Sequence, residues 1–317
     1  MDNMDTQSEI PVPEQTTGVN DINLPTGKPL TSEEANHIVR STGAPIVLLI
    51  GAVKSGKTTL IASIHDAFQW MPFANYLAAG SETLIGFEER CFDSRAVSGA
   101  EEPTTIRTIP AEGIQFYHLK LRDQNMTAPI RHLLLADMSG EIYEQALDSS
   151  AVMRGLSILT RADHLVYLVD GAKLYSEEFK HHTRTNALML MRRCFEQNMI
   201  RTNARVDVLL TKWDIVLKQS SQNVADQFLK EYKNLFNKEW GAKLGRLNVL
   251  PIAARPHYKS TLTPCYGLTE ILHRWVEEWP VKLQSARINI TVHGLTRMID
   301  KFAMSTAEEM FEDVSYD

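Results

Sequence analysis

Residues 51–58 read Gly-Ala-Val-Lys-Ser-Gly-Lys-Thr, directly after the apolar run Ile46-Val47-Leu48-Leu49-Ile50. Two glycines allow a turn tight enough for successive backbone N–H groups to point at one anion. The lysine and hydroxyl that close the string add a cation and a hard oxygen. Gly51, Lys54, Ser55, Gly56, Lys57, Thr58 and Thr59 are therefore the expected phosphate-binding residues. Lys57 is placed to reach the β- and γ-phosphates and to assist their chemistry, and Thr58 to ligate Mg²⁺. Beyond the loop Leu60, Ile61, Ile64 and Phe68 share one helical face, so a helix follows and turns its positive end toward the phosphates. The string predicts a nucleoside triphosphate site.

Three further strings supply what such a site needs. Residues 133–141 read Leu-Leu-Leu-Ala-Asp-Met-Ser-Gly-Glu. An apolar strand ending in Asp137 delivers a carboxylate beside the phosphates, where it can hold Mg²⁺ through water. Gly140, lacking a Cβ, lets its N–H approach the γ-phosphate. Residues 208–214, Val-Leu-Leu-Thr-Lys-Trp-Asp, end a second strand in polar groups. A carboxylate at Asp214 can accept from N1–H and the 2-amino group of guanine, donors that adenine lacks, and the wrong base would leave it unpaired. Lys212 can lay its aliphatic stem along the ring. Residues 248–255, Asn-Val-Leu-Pro-Ile-Ala-Ala-Arg, place Ala253 and Ala254 after a strand, where a backbone N–H can reach guanine O6.

These strings sit at the ends of apolar, β-rich runs at 45–50, 113–121, 132–136, 164–169, 206–210 and 247–252. Helix-period segments at 57–70, 142–161, 176–199, 224–237 and 267–279 fall between them. The alternation predicts an α/β fold: a mainly parallel six-stranded sheet with helices on both faces. A short polar turn between 113–121 and 131–137 makes one strand antiparallel. Residues 71–110 interrupt the pattern with a strand-like stretch at 75–79, a helix-like one at 83–92 and a looser segment through Pro103-Thr104-Thr105. An insertion after the first helix is where a nucleotide-sensing loop belongs. Thr104, Thr105 and Thr108 all precede the next strand. Arg95 and Arg107 lie in the same loop as candidate charge stabilisers in cis, although solvated arginine is the commoner state.

Residues 1–36 read as a disordered acidic tail, with seven acids against Lys28 alone and Pro11, Pro13, Pro25 and Pro29. Within it Thr31-Ser-Glu-Glu has the form of a cap for a short helix leading to Val39. Residues 37–280 form the expected nucleotide-binding domain, and 281–317 an amphipathic C-terminal helical extension carrying Ile288, Val292, Leu295, Ile299 and Phe302. The net charge is −6, held in the two ends of the chain, so the body lacks the clustered basic face that nucleic-acid readers show. No run of apolar residues is long enough for a membrane span. Three scattered cysteines, Cys91, Cys194 and Cys265, and the absence of an apolar N-terminal signal point to a cytoplasmic setting. His181-His182 has no further ligands at metal spacing, and Trp275 and Trp279 share a stripe with Leu268, Ile271 and Leu272 that reads as core.

In order and content the four strings resemble Ras-like P-loop GTPases of the translation-factor-related class, over about residues 44–280. The resemblance implies GTP or GDP as ligand with Mg²⁺, a second switch starting at Asp137 and a switch loop after the first helix. In that loop it favours Thr105 as the switch threonine, on the metal and in catalysis, with Thr104 close behind. Thr211 stands where many members have Asn, a substitution the family accepts. Ala253-Ala254-Arg255 resembles the usual Ser-Ala-Lys, which puts the Ala254 N–H on O6. Where many members carry a water-orienting Gln after Asp-x-x-Gly, this chain has Glu141. A carboxylate there is repelled by the γ-phosphate, so intrinsic hydrolysis is expected to be slow even though Glu141 holds the catalytic position. Residues 79–91, Ala-Gly-Ser-Glu-Thr-Leu-Ile-Gly-Phe-Glu-Glu-Arg-Cys, with Asp-Met-Ser-Gly-Glu at 137–141, are similar to bacterial double-GTPase domains of multi-gene conflict systems. That likeness implies a role in antiviral defence and protein partners, either an effector or a second GTPase. Two functional readings follow: a GTP-hydrolysing molecular switch, and a GTP-binding assembly module with little hydrolysis of its own. A P-loop kinase or ATPase would need an acceptor site or an arginine-rich lid, and would leave Thr211–Asp214 unexplained.

Overall fold

The computed structural model describes residues 25–92, 108–201 and 204–277. Seven strands form one sheet in the order β2-β3-β4-β1-β5-β6-β7. Strand β1 (Ile46–Ile50) lies at its centre, paired in parallel with β4 (Arg131–Asp137) on one side and β5 (His164–Asp170) on the other. Parallel pairing continues to β6 (Arg205–Thr211) and β7 (Arg246–Pro251). On the far side β3 (Gln115–Asp123) runs antiparallel to β4, and β2 (Tyr76–Gly80) antiparallel to β3.

The alternation of side chains explains why β1 is apolar at every position. Ile46, Leu48 and Ile50 enter one core, and Val47 and Leu49 the other, as a strand buried on both faces requires. Helix α2 (Lys57–Trp70), α3 (Leu84–Phe92) and α11 (Leu268–Glu277) cover the second face through Leu60, Ile61, Ile64, Phe87, Ile271 and Trp275. The first face carries α1 (Ser32–Thr42), α4 (Gly140–Asp148), α5 (Ser150–Gly155), α6 (Ile158–Arg161), α7 (Gly171–Tyr175), α8 (Lys180–Glu196), α9 (Trp213–Gln219) and α10 (Gln222–Trp240). In α10 an aromatic at every fourth position forms a row: Phe228, Tyr232, Phe236 and Trp240, with successive centroids 4.8–5.9 Å apart. Trp213 extends the row at 6.0 Å from Phe228.

The α/β class, the order of the elements and the two-sided cover agree with the sequence reading, but three expectations need correction. The sheet has seven strands, not six. The extra one, β2, has a weakly β-forming sequence and owes its conformation to pairing with β3. The single helix expected over 142–161 is three short helices within 140–161. Ser149 ends α4 and its hydroxyl accepts from Val152 N–H to start α5, and Gly155 and Leu156 then close α5. The folded body also begins before residue 37: Leu30 pairs with Phe116 in both directions, at 2.9 and 3.1 Å, and Thr31 and Glu34 close a capping box on α1. The helical extension at 281–317, Trp279 and the first 24 residues of the tail lie outside the described residues.

The insertion is tied to the sheet by polar contacts. Ser81 Oγ donates to His118 O at 2.6 Å, Thr83 Oγ1 accepts from His118 N–H at 2.9 Å, and His118 Nδ1 accepts from Glu82 N–H at 3.3 Å. Arg90, buried on α3, donates to Tyr117 Oη at 2.9 Å and to Glu112 and Gln115, each at 2.8 Å. The insertion helix therefore holds the chain just after Thr108.

Candidate functional site

The carboxyl ends of β1, β4, β5, β6 and β7 meet along one edge, and all four sequence strings lie there. Between β1 and α2 the loop turns on Gly56, whose φ of 100° suits glycine, and on Lys54, which takes the left-handed region at φ 63°. The Lys57 ammonium lies across its own loop, donating to Gly51 O at 2.8 Å and Ala52 O at 3.1 Å. Ser55 is buried, Thr58 and Thr59 are half-buried in the first turn of α2, and Gly51 has no room for a Cβ against Leu168 O and Ser55 Oγ, each 2.6 Å away.

At the end of β4 Asp137 is fully buried. Its Oδ2 accepts from Thr108 Oγ1 at 2.7 Å and from Thr58 Oγ1 at 3.3 Å, and those two hydroxyls are 3.4 Å apart. Its Oδ1 is buried with no hydrogen-bond partner, an arrangement that costs free energy unless a cation or donor meets it. Burial raises the Asp137 pKa above the usual carboxylate range, opposed by the Lys57 ammonium and the Thr108 hydrogen bond. One carboxylate and two hydroxyls, all hard oxygens, suit Mg²⁺, which takes few protein ligands and completes its shell with water and phosphate. Among the described residues no cluster of three His, Cys, Asp or Glu could hold a metal alone, in keeping with that sparse mode. Of the three switch threonines weighed from sequence, Thr108 lies among the described residues, and it meets Thr58 and Asp137. Thr105 lies outside the described residues, as do Thr104, Arg95 and Arg107.

Gly140 opens α4 against the loop. A Cβ there would fall 2.4 Å from Val53 N and 2.7 Å from Ala52 C. Glu141, in the same turn, accepts a hydrogen bond from Ser139 Oγ. Tyr143 donates to Leu49 O at 3.0 Å and lies with its ring 5.8 Å from Lys57 Nζ.

At the other end of the edge Thr211 Oγ1 donates to Ser55 O at 2.9 Å, which ties β6 to the phosphate loop. A hydroxyl here links strand to loop. Lys212 sits in the left-handed region at φ 56°, and its ammonium pairs with Asp170 Oδ2 at 2.6 Å. Trp213 is buried, its N–H donates to Ile252 O at 3.0 Å, and so the third and fourth strings are held together. Asp214 Oδ2 accepts from His257 N–H at 3.0 Å. Ala253 N–H donates to Tyr266 O at 3.1 Å and Ala254 O accepts from Cys265 N–H at 3.1 Å, fixing the small-residue turn. Arg255 reaches back to Asp66 and Ser63 on α2.

Sequence reasoning did not single out Asp170, Trp213 or Glu144. Asp170 carried a signal, an apolar run ending in Asp, as the run before Asp137 does. Trp213 had one in the four-residue aromatic spacing that continues it along α10. His181 and His182 are exposed and Trp275 is fully buried, as read. No helix among the described residues is long and apolar enough to cross a membrane.

Over residues 45–276 the chain matches the family described as Double-GTPase 2. No curated protein matches it. Among solved structures it is similar to the signal recognition particle receptor SRb-GTP/SRX complex from Chaetomium thermophilum, at 14% identity over 68% of this chain and 94% of that one, TM-score 0.39. It is also similar to the S. cerevisiae Ski7 GTPase-like domain bound to GDP and inorganic phosphate (11% identity, 80% of this chain and 53% of that one, TM-score 0.46). A third is the translation elongation factor SelB from Methanococcus maripaludis with the GTP analogue GppNHp, at 16% identity over 67% of this chain and 30% of that one, TM-score 0.34.

Proposed function

From the premise that the chain belongs to the Double-GTPase 2 family, we propose that it binds GTP with Mg²⁺, hydrolyses it, and acts as a switch read by a protein partner. The observation that carries this reading is the buried Asp137 carboxylate, one oxygen shared by the Thr58 and Thr108 hydroxyls and the other without a hydrogen-bond partner. Mg²⁺ held there would neutralise charge on the β- and γ-phosphates. Lys57 would turn from the Gly51 and Ala52 carbonyls to the same phosphates, and the Gly140 N–H would meet the γ-phosphate. Thr108 and Asp137 stand on separate segments that this one ligand would join, which is how loss of the γ-phosphate would be felt. At the far end Asp214 would take guanine by its two donors. Titration calorimetry tests the reading: GTP and GDP should bind with Mg²⁺ at least a hundredfold more tightly than ATP, and equal affinity for ATP would overturn it.

A slow intrinsic rate has its own support. Glu141 occupies the water-orienting position as a carboxylate engaged by Ser139, and an ionised acid near the γ-phosphate opposes the charge that spreads in phosphoryl transfer. This favours the assembly-module reading wherever a partner must supply the missing group. Single-turnover rates at saturating GTP decide it: Glu141→Gln should not slow hydrolysis, whereas a drop of about a hundredfold, roughly 2.7 kcal/mol on the barrier, would make Glu141 the catalytic residue.

A further inference from the structure

Helix α4 (Gly140–Asp148) grips the phosphate-binding loop at more than one point. Its first residue, Gly140, lies flush on the Ala52–Val53 peptide, where any Cβ would collide. One turn later Glu144 Oε1 accepts a hydrogen bond from Val53 N–H at 3.1 Å. Between them Tyr143 is anchored on Leu49 O at the end of β1. Val53 N–H is thus a loop donor occupied by an anion of the protein itself. It lies on the side of the loop that Gly140 approaches, which is the γ-phosphate side if the site holds GTP.

A carboxylate and a phosphate oxygen cannot both take one N–H, and at that separation they repel each other. A β-phosphate held by the N–H groups around Gly56 and Lys57, at the start of α2, would make no such demand. We propose that Glu144 is a resident anion of the phosphate loop that latches α4 down in the diphosphate state and must be expelled by the γ-phosphate. It thereby sets the preference between di- and triphosphate. The latch rests on the GTP-site reading above, and it adds one thing to that reading: the cost of switching is borne by a side chain of α4.

The test measures the affinities of GDP and of a non-hydrolysable GTP analogue for the full chain with Mg²⁺, in wild type, Glu144→Gln and Glu144→Ala. Glu144 is exposed, so both variants should melt like wild type. The expected result is a ratio of analogue to GDP affinity raised about tenfold in Glu144→Ala, with Glu144→Gln in between because its amide oxygen still accepts but carries no charge. A merely structural role would weaken both nucleotides together and leave the ratio alone. An unchanged or lowered ratio in both variants overturns the latch while GTP binding stands. Failure of wild type to bind either nucleotide overturns the site reading, and the latch with it.

Discussion

At the base end of the site Lys212 is tied to Asp170 at the end of β5, Arg255 to Asp66 on α2, Thr211 to Ser55 O of the phosphate loop and Asp214 to His257 N–H. At the phosphate end Thr108, Asp137, Gly140 and Glu144 hold one another and the loop. Lys212 and Arg255 thus hang on a strand end and a helix. The phosphate-end contacts join segments that would themselves contact the ligand, so the ligand would rearrange them. On the proposed reading, recognition rests mainly on rigid elements and sensing on replaceable bonds. Both ends hold a lysine in the left-handed region, Lys54 and Lys212, a conformation that costs about 1–3 kcal/mol and persists where surrounding contacts enforce it.

The largest effect should come from the residue nearest the point where the ends meet. Lys57→Ala removes charge-assisted bonds worth about 1.5–3 kcal/mol each, so GTP affinity by calorimetry should fall by about a hundredfold or more while the melting transition survives. Unaltered affinity in a folded variant would mean that the loop does not take phosphates. At the base end, Asp214→Asn turns an acceptor-only group into an amide whose NH₂ faces guanine's donors. GTP binding should weaken by about a hundredfold, with a gain for xanthosine triphosphate, and a loss for all bases alike would show that Asp214 only braces His257. At the sensing end, Thr108→Ala should raise the Mg²⁺ concentration needed for half-maximal GTP binding by about tenfold. The same shift from Thr105→Ala, with none from Thr108→Ala, would move the metal contact to Thr105.

The smallest effect lies in the clamp that carries the insertion. Burial, with His132 and Lys120 nearby, lowers the pKa of His118 from 6.5 to about 4. Between those values the unfolded chain takes up a proton that the folded chain refuses. The stability contributed is therefore complete above pH 6.5 and is lost as pH falls toward 4. Thermal unfolding should show a melting temperature several degrees lower at pH 5 than at pH 7.5, and His118→Gln should flatten that slope without altering guanine selectivity.

How much of this was legible in the residues follows the same division. The central sheet could be read because β1 is apolar throughout and β5 and β6 carry the apolar runs Leu165–Val169 and Val208–Leu210, which the burial of both faces demands. Strand β2 was marginal in sequence because its small residues leave the decision to the neighbouring β3. The strings 51–58 and 211–214 announced themselves because phosphate and base chemistry restrict residue types at fixed spacing. The switch threonine did not: Thr104, Thr105 and Thr108 carry the same hydroxyl, and the contact of Thr108 with Asp137 depends on where Arg90 and its bonds to Glu112 and Gln115 set the chain down. Glu144 was silent for the same reason, since nothing local distinguishes it from any solvated glutamate on a helix.

Helix α2 passes between the base turn and the insertion, and a thiol leans on it from either side: Cys91 donates to Ala62 O and Cys265 to Ser63 O. Cys91 and Cys194 are buried, while Cys265 is half-exposed, with burial pushing its thiol up to about 11. Resting against Ser63 O, the thiol is held from the thiolate, the form that reacts. On the proposed reading, the rate at which an alkylating reagent consumes Cys265 would report how often the base turn leaves α2, readable by intact mass without any label on the nucleotide.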